Sequence, residues 1–170
     1  VYMRFISVFF IGFILLFNIQ GNQVNAKTND PIRSFKITLK NDGYVSLNKA
    51  ISTYENKEKV NVLIPDIPIN YNYKVGKAYK NELKLIWYDL NSITSNNFIL
   101  NIKPAKKKEV TFLPLDKSEK VILKNGIEGY FFKDNFYMFA FIKDQVEYCY
   151  TLKKSTLTKE GFIEIANTFN

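Results

Sequence analysis

The sequence predicts an α+β domain: an antiparallel sheet ending in a four-strand meander, with two short helices packed on it. Three observations carry this. Residues 120–124, 127–133, 136–143 and 146–153 are apolar or alternating runs of strand length at even spacing. Asn125-Gly126, Asp134-Asn135 and Asp144-Gln145 join them as two-residue turns. The period then changes, because Phe162, Ile165, Ala166 and Phe169 recur at helical spacing. A helix with such a stripe must bury it, and the meander is the available surface.

The earlier elements follow in order. Phe35, Ile37 and Leu39 alternate with Lys36, Thr38 and Lys40, which reads as a half-buried strand turned by Asn41-Asp42-Gly43. Ser46 is placed to cap a short helix whose Leu47, Ala50, Ile51 and Tyr54 share one face. The polar residues 55–59 end it. Residues 60–64 form a short apolar run, and Pro65 and Pro68 then favour extended backbone. Tyr71 and Tyr73 alternate with Asn72.

Residues 83–90 read as a strand with Leu83, Leu85 and Trp87 on one side, and residues 98–103 as another. Lys106-Lys107-Lys108 is a solvated loop. Asn125-Gly126 suggests a type I′ turn, which needs positive φ at both central residues. In the last strand Val146, Tyr148, Tyr150 and Leu152 face one way. Glu147, Cys149, Thr151 and Lys153 face the other, which reads as a polar side. Thr158 is the expected N-cap of the last helix, with Leu157 and Phe162 stapling its entry.

Residues 1–26 have the layout of a secretory signal peptide. Arg4 precedes an apolar run from Phe5 to Phe17, and Val24-Asn25-Ala26 offers a small-residue cleavage site. The run falls short of the roughly 20 apolar residues a spanning helix needs. Cleavage after Ala26 is the expectation, with an uncleaved anchor as the alternative. Residues 27–170 then form one extracytoplasmic domain, secreted or associated with the cell surface. Cys149 is the only cysteine, so no intrachain disulfide forms, and no Asn-x-Ser/Thr acceptor occurs. These features fit a bacterial exported protein.

The formal charge is +8, and Arg4 accounts for one unit. Such a balance attracts anionic partners. Among the 24 basic residues only Arg4 and Arg33 are arginine. Nucleic-acid sites favour the arginine fork, so a nucleic-acid partner is not expected. Lysine as the default solvated residue explains much of the charge.

The chain holds no histidine. Ser-His-Asp and Cys-His catalysis cannot be assembled from it, nor a zinc site built on His and Cys. Neither a calcium-loop pattern nor a phosphate-cradling glycine loop occurs, so no metal and no cofactor is expected. Carboxylate pairs remain possible for acid–base work, with Asp66, Asp89, Glu128, Asp134, Asp144 and Glu147 spread across turns and strands. Their spacing singles out no pair, so no catalytic residue is assigned and the protein is not expected to be an enzyme. Cys149, next to no basic residue, reads as a small hydrophobe.

Aromatics are abundant, with 15 Phe and 11 Tyr. Most belong to a core. Tyr71, Tyr73, Trp87 and Tyr88, interleaved with Lys74 and Lys84, form the candidate ligand surface. They line either a groove for an anionic polymer or glycan, or the second face of the sheet.

From Val60 onward the chain resembles a bacterial extracytoplasmic domain of unknown function. That domain is often appended to anti-sigma-like or sporulation-associated membrane proteins of Gram-positive bacteria. The matching features begin with Ile64-Pro65-Asp66-Ile67-Pro68, with Tyr71 shortly after. They continue with residues 121–129, holding Asn125-Gly126 and Gly129. The ending matches too: Tyr148-Cys149-Tyr150-Thr151-Leu152, Leu157-Thr158 and Ile165-Ala166-Asn167. Asn70 stands where such domains often carry Gly. The resemblance implies an extracytoplasmic α+β domain with no established activity.

The functional expectation is a non-enzymatic binding or sensing module at the cell envelope. The partner would be an anionic envelope polymer or another envelope protein. A binder of anionic polymers or glycans and a small carboxylate-based hydrolase are the alternatives.

Overall fold

The structure is a computed structural model that describes residues 30–92, 97–153 and 157–169. The leader lies outside the described residues. The fold is α+β. An eight-stranded antiparallel sheet runs β1 (Val45–Ser46), β2 (Tyr73–Ala78), β3 (Leu83–Tyr88), β4 (Asn97–Pro104), β8 (Val146–Lys153), β7 (Phe136–Lys143), β6 (Glu128–Lys133), β5 (Glu119–Ile122). The last four strands are the expected meander, paired in sequence order. Its last strand turns back to the middle of the sheet, where Leu100 of β4 lies opposite Tyr150 of β8.

One face carries the main core. Leu83, Leu85, Trp87, Leu100, Phe139, Phe141, Tyr148 and Tyr150 point into it and are buried. Two helices cover them, α2 (Leu47–Glu58) and α3 (Lys159–Asn167). Helix α2 buries Ala50 and Tyr54 as its spacing requires, although the Ser46 side chain makes no capping bond. Gly76 of β2 lets it approach closely, since a Cβ there would stand 2.6 Å from both Ala50 Cβ and Leu85 Cδ2. Helix α3 buries the expected stripe of Phe162, Ile165 and Ala166, with Phe169 just beyond its end. Thr158 caps it by accepting from the Gly161 N–H.

The segment between α2 and β2 crosses this face as a strap. The Val62 N–H donates to Glu55 (2.8 Å), the Leu63 N–H to the Tyr148 hydroxyl (3.2 Å) and the Asp66 N–H to Thr168 (2.8 Å). Those bonds replace the ladder that Pro65 and Pro68 deny it.

Three expectations are corrected. The segment read as a first strand is a third helix, α1 (Pro31–Asn41). Asp30 accepts from the Ile32 N–H and Pro31 occupies the first turn, a start signal that outweighs a short alternation. Phe35 and Leu39, one helical turn apart, pack with Val75, Ile86 and Tyr88 on the second face of the sheet.

The second correction concerns β8. Its faces divide as expected, but the side with Glu147 and Cys149 is buried rather than polar. The connection between β4 and β5 folds back over it, laying Val110 and Leu113 against Ala140 and Cys149.

The third correction is the turn type. At Asn125-Gly126 only Gly126 has positive φ, and the Leu123 N–H donates to the Ile127 carbonyl around three loop residues. Positive φ at both central residues occurs instead at Asp144 and Gln145 (51° and 64°), joining β7 to β8.

Candidate functional site

The edge of the sheet at β1 and β2 gathers most of the predicted surface. Two concavities meet there. A groove of about 650 Å3 runs between α1 and the sheet edge. Helix α1 turns Arg33, Lys36, Ile37 and Lys40 toward it, and the sheet side supplies Tyr44, Tyr73 and Lys74. Asp30 is its one carboxylate, and that side chain caps α1. Lys36 sets its ammonium 5.0 Å from the centre of the Tyr73 ring, a cation–π contact. Ile37 stays 50% exposed on the lip. The groove therefore has an apolar lining and a cationic rim.

A second hollow, about 540 Å3, lies under the proline bend. Ile64, Pro65, Pro68, Tyr71 and Trp87 give it apolar walls, and Asp66, Asn70 and Lys74 add polar groups. Lys74 lines both concavities.

Tyr71 is 5% exposed, and its hydroxyl has no hydrogen-bond partner among the described residues. Burial, with a smaller contribution from the Asp89 carboxylate, pushes that hydroxyl up to about 12. It is neutral throughout the physiological range and acts as a donor or acceptor, not as a charge.

The six predicted surface residues divide accordingly. Tyr73 and Lys74 line the α1 groove, and Tyr71, Lys74 and Trp87 the hollow. The four aromatics do not share one surface. Trp87 and Tyr71 belong to the main core, because alternation along β3 sends Trp87 inward with Leu85. Tyr88 takes the opposite face, under α1, with the Phe35 ring edge-on at 5.0 Å. Burial, then Tyr73, raises its hydroxyl to about 12. Lys84 lies apart, opposite Lys77 in the β2–β3 register.

Arg33, Lys36 and Lys40 belong to the groove but were absent from the predicted surface, because their segment read as a strand. Asp30-Pro31, a capping residue followed by proline, was the available signal.

A third concavity, about 740 Å3, opens at the far end of β3 and β4. It mixes Lys80, Lys103, Lys106 and Lys107 with Glu58, Glu82 and Glu109. Burial raises the carboxyl of Glu82, Lys103 and Lys84 pull it back, and Glu147 adds to the rise. Glu147 itself is 1% exposed and fully engaged. It accepts from the Thr111 N–H (2.5 Å), the Thr111 hydroxyl (2.8 Å) and the Phe112 N–H (2.7 Å), with Lys103 at 3.5 Å. Its work is to pin the β4–β5 connection to the sheet. Burial, with Glu147 second, raises the Cys149 thiol well above its usual range, so it holds no thiolate for nucleophilic chemistry.

No group of three or more Cys, Asp or Glu placed to hold a metal occurs among the described residues. No helix among them is long and apolar enough to cross a membrane. No family model, curated protein or solved structure matches the chain.

Proposed function

We propose that this is a non-enzymatic binding module, exported to the cell envelope, that takes an anionic polymer along the edge formed by α1 and β2. The observation that carries the reading is the α1 groove. Arg33, Lys36, Lys40 and Lys74 surround it, and its one carboxylate is engaged in capping. Charge complementarity of this kind selects anions and speeds their capture. The signal-peptide layout of residues 1–26 supports an extracytoplasmic location. Lysine held at a surface groove suits a repeating polyanion, which makes many weak, screened contacts in place of one bidentate clamp.

Co-sedimentation of the purified protein with isolated cell walls across a salt series tests this. Binding should fall steeply with salt, and Arg33→Gln/Lys36→Gln/Lys40→Gln should weaken it about tenfold or more. Binding that ignores salt, or survives the triple substitution unchanged, would overturn the reading.

A second reading, a carboxylate-based hydrolase, rests on Glu82. A carboxyl held high in a cleft with other acids is the arrangement of a general acid. Turnover of a glycan or peptide substrate, abolished by Glu82→Gln, would establish it.

A further inference from the structure

We propose that β5 is a dimerisation edge, pairing antiparallel with β5 of a second copy about a two-fold axis at Val121. That edge lies at the opposite end of the sheet from the α1 groove, so the pairing stands apart from the polymer reading.

Strand β5 pairs with β6, and its outer edge has no neighbour among the described residues. The turn fixes where its backbone groups point. Leu123 donates its N–H to the Ile127 carbonyl, toward β6. Backbone groups alternate along a strand, so Val121 and Glu119 also face β6, while Lys120 and Ile122 face outward. The next outward N–H, that of Lys124, donates to the Asn167 side chain (2.9 Å). The fold thus caps the edge at Lys124 and leaves it open at Lys120 and Ile122.

The side chains there do not suit a bare edge, which proteins blunt with charge or proline. Ile122 is 59% exposed, the most exposed large hydrophobic among the described residues. It lies on the second face of the sheet beside Lys120, whose ammonium Glu128 holds at 2.6 Å.

Charge selects the register in which a second copy fits. Outward residues must meet outward residues, so across the open stretch the axis falls on Lys120, Val121 or Ile122. An axis at Lys120 sets Lys120 against Lys120 of the second copy. One at Ile122 sets Lys120 against Lys124, whose N–H is already taken. Like charges directly opposite each other are destabilising. The axis at Val121 opposes Lys120 with Ile122 and Glu119 with Leu123, and no like charges meet. Each Lys120 stem then covers an Ile122 side chain, and the two residues exchange both backbone hydrogen bonds. So short a pairing makes a weak, reversible dimer. It joins two eight-stranded sheets into one and leaves both α1 grooves free at the outer ends. A repeating polymer gripped at two points would be held more tightly than at one.

Cysteine cross-linking of the full chain under mild oxidation tests the register. Lys120→Cys and Ile122→Cys change exposed side chains, and the native Cys149 is buried. Mixed, the two variants should join to each other about tenfold more than either joins to itself, because opposite residues lie within disulfide reach and diagonal ones do not. Ile122→Lys sets two lysines opposite each other and should weaken dimerisation about tenfold or more in sedimentation equilibrium. Cross-linking that is absent, or equal within and between the variants, would overturn the proposal. So would a wild-type chain that stays monomeric at about 1 mM, or an Ile122→Lys chain that dimerises as wild type does. No polymer enters these measurements, so their failure leaves the polymer reading standing.

Discussion

The meander and the β2 edge treat buried polar groups in opposite ways. In the meander the hydroxyls of Tyr148 and Tyr150 are both bonded, and Glu147, the buried carboxylate of β8, has four contacts. At the β2 edge the Tyr71 hydroxyl is equally enclosed and has none among the described residues. One region spends its polar groups on holding itself together; the other keeps them uncommitted beside two concavities. On the binding reading proposed above, stability and recognition fall to different parts of one sheet, and substitutions should separate them.

The largest effect falls on the meander side. Phe162→Ala empties the contact between α3 and the rings of Phe131, Tyr137 and Tyr150, and should cost about 3–5 kcal/mol in denaturant unfolding. Affinity at the β2 edge, measured under folding conditions, should not change. Coupled losses of stability and affinity would break the division.

Glu147→Gln comes next. It trades a charge-assisted acceptor for a neutral one against Thr111, Phe112 and Lys103, and should cost about 2 kcal/mol. Amide exchange should quicken first across residues 110–113. Global exchange without that local change would show that Glu147 does not pin the connection.

The pair Tyr150→Phe and Tyr71→Phe sharpens the comparison most directly. The first removes a buried hydrogen bond to the Phe162 carbonyl and should cost about 1 kcal/mol; the second should cost nothing or stabilise. Equal costs would mean that the two hydroxyls are alike.

The smallest effect is a pH dependence at Glu82. Burial raises its folded pKa above the unfolded value, so the folded state is penalised once the carboxylate is charged and relieved below the unfolded pKa. Glu82→Gln should therefore be more stable than wild type at neutral pH, with the gap closing as pH falls into the carboxylate range. A gap that widens on acidification would reverse the assignment.

Much of this architecture was legible because successive side chains of a strand alternate between its two faces. Leu83, Leu85 and Trp87 share the main core as their spacing implies, and the stripe of α3 lies buried as its period implies. Residues 35–40 misled because six residues cannot separate a two-residue period from a helical one when lysines fall on both templates. The cover on the second face was hidden for another reason. Val110 and Leu113 sit in irregular backbone, where burial leaves no period to read. At the site, Lys74 and Tyr73 were legible as surface and Trp87 was not. Its chemistry suggested ligand contact, while its register with Leu85 dictated the core.

The neighbour relation between β4 and β8 has a consequence for how the chain reaches this structure. Ile99 must find Thr151, and the whole of β5, β6 and β7 is made between them. Until β8 arrives, β4 is a bare edge carrying Phe98, Leu100 and Ile102, all fully buried in the finished molecule. Pairings this distant in sequence form slowly, and a bare apolar edge is open to strands of other chains meanwhile. Closure of the sheet is thus a late step of folding. A chain cut short before residue 146 would present that edge permanently and aggregate through it.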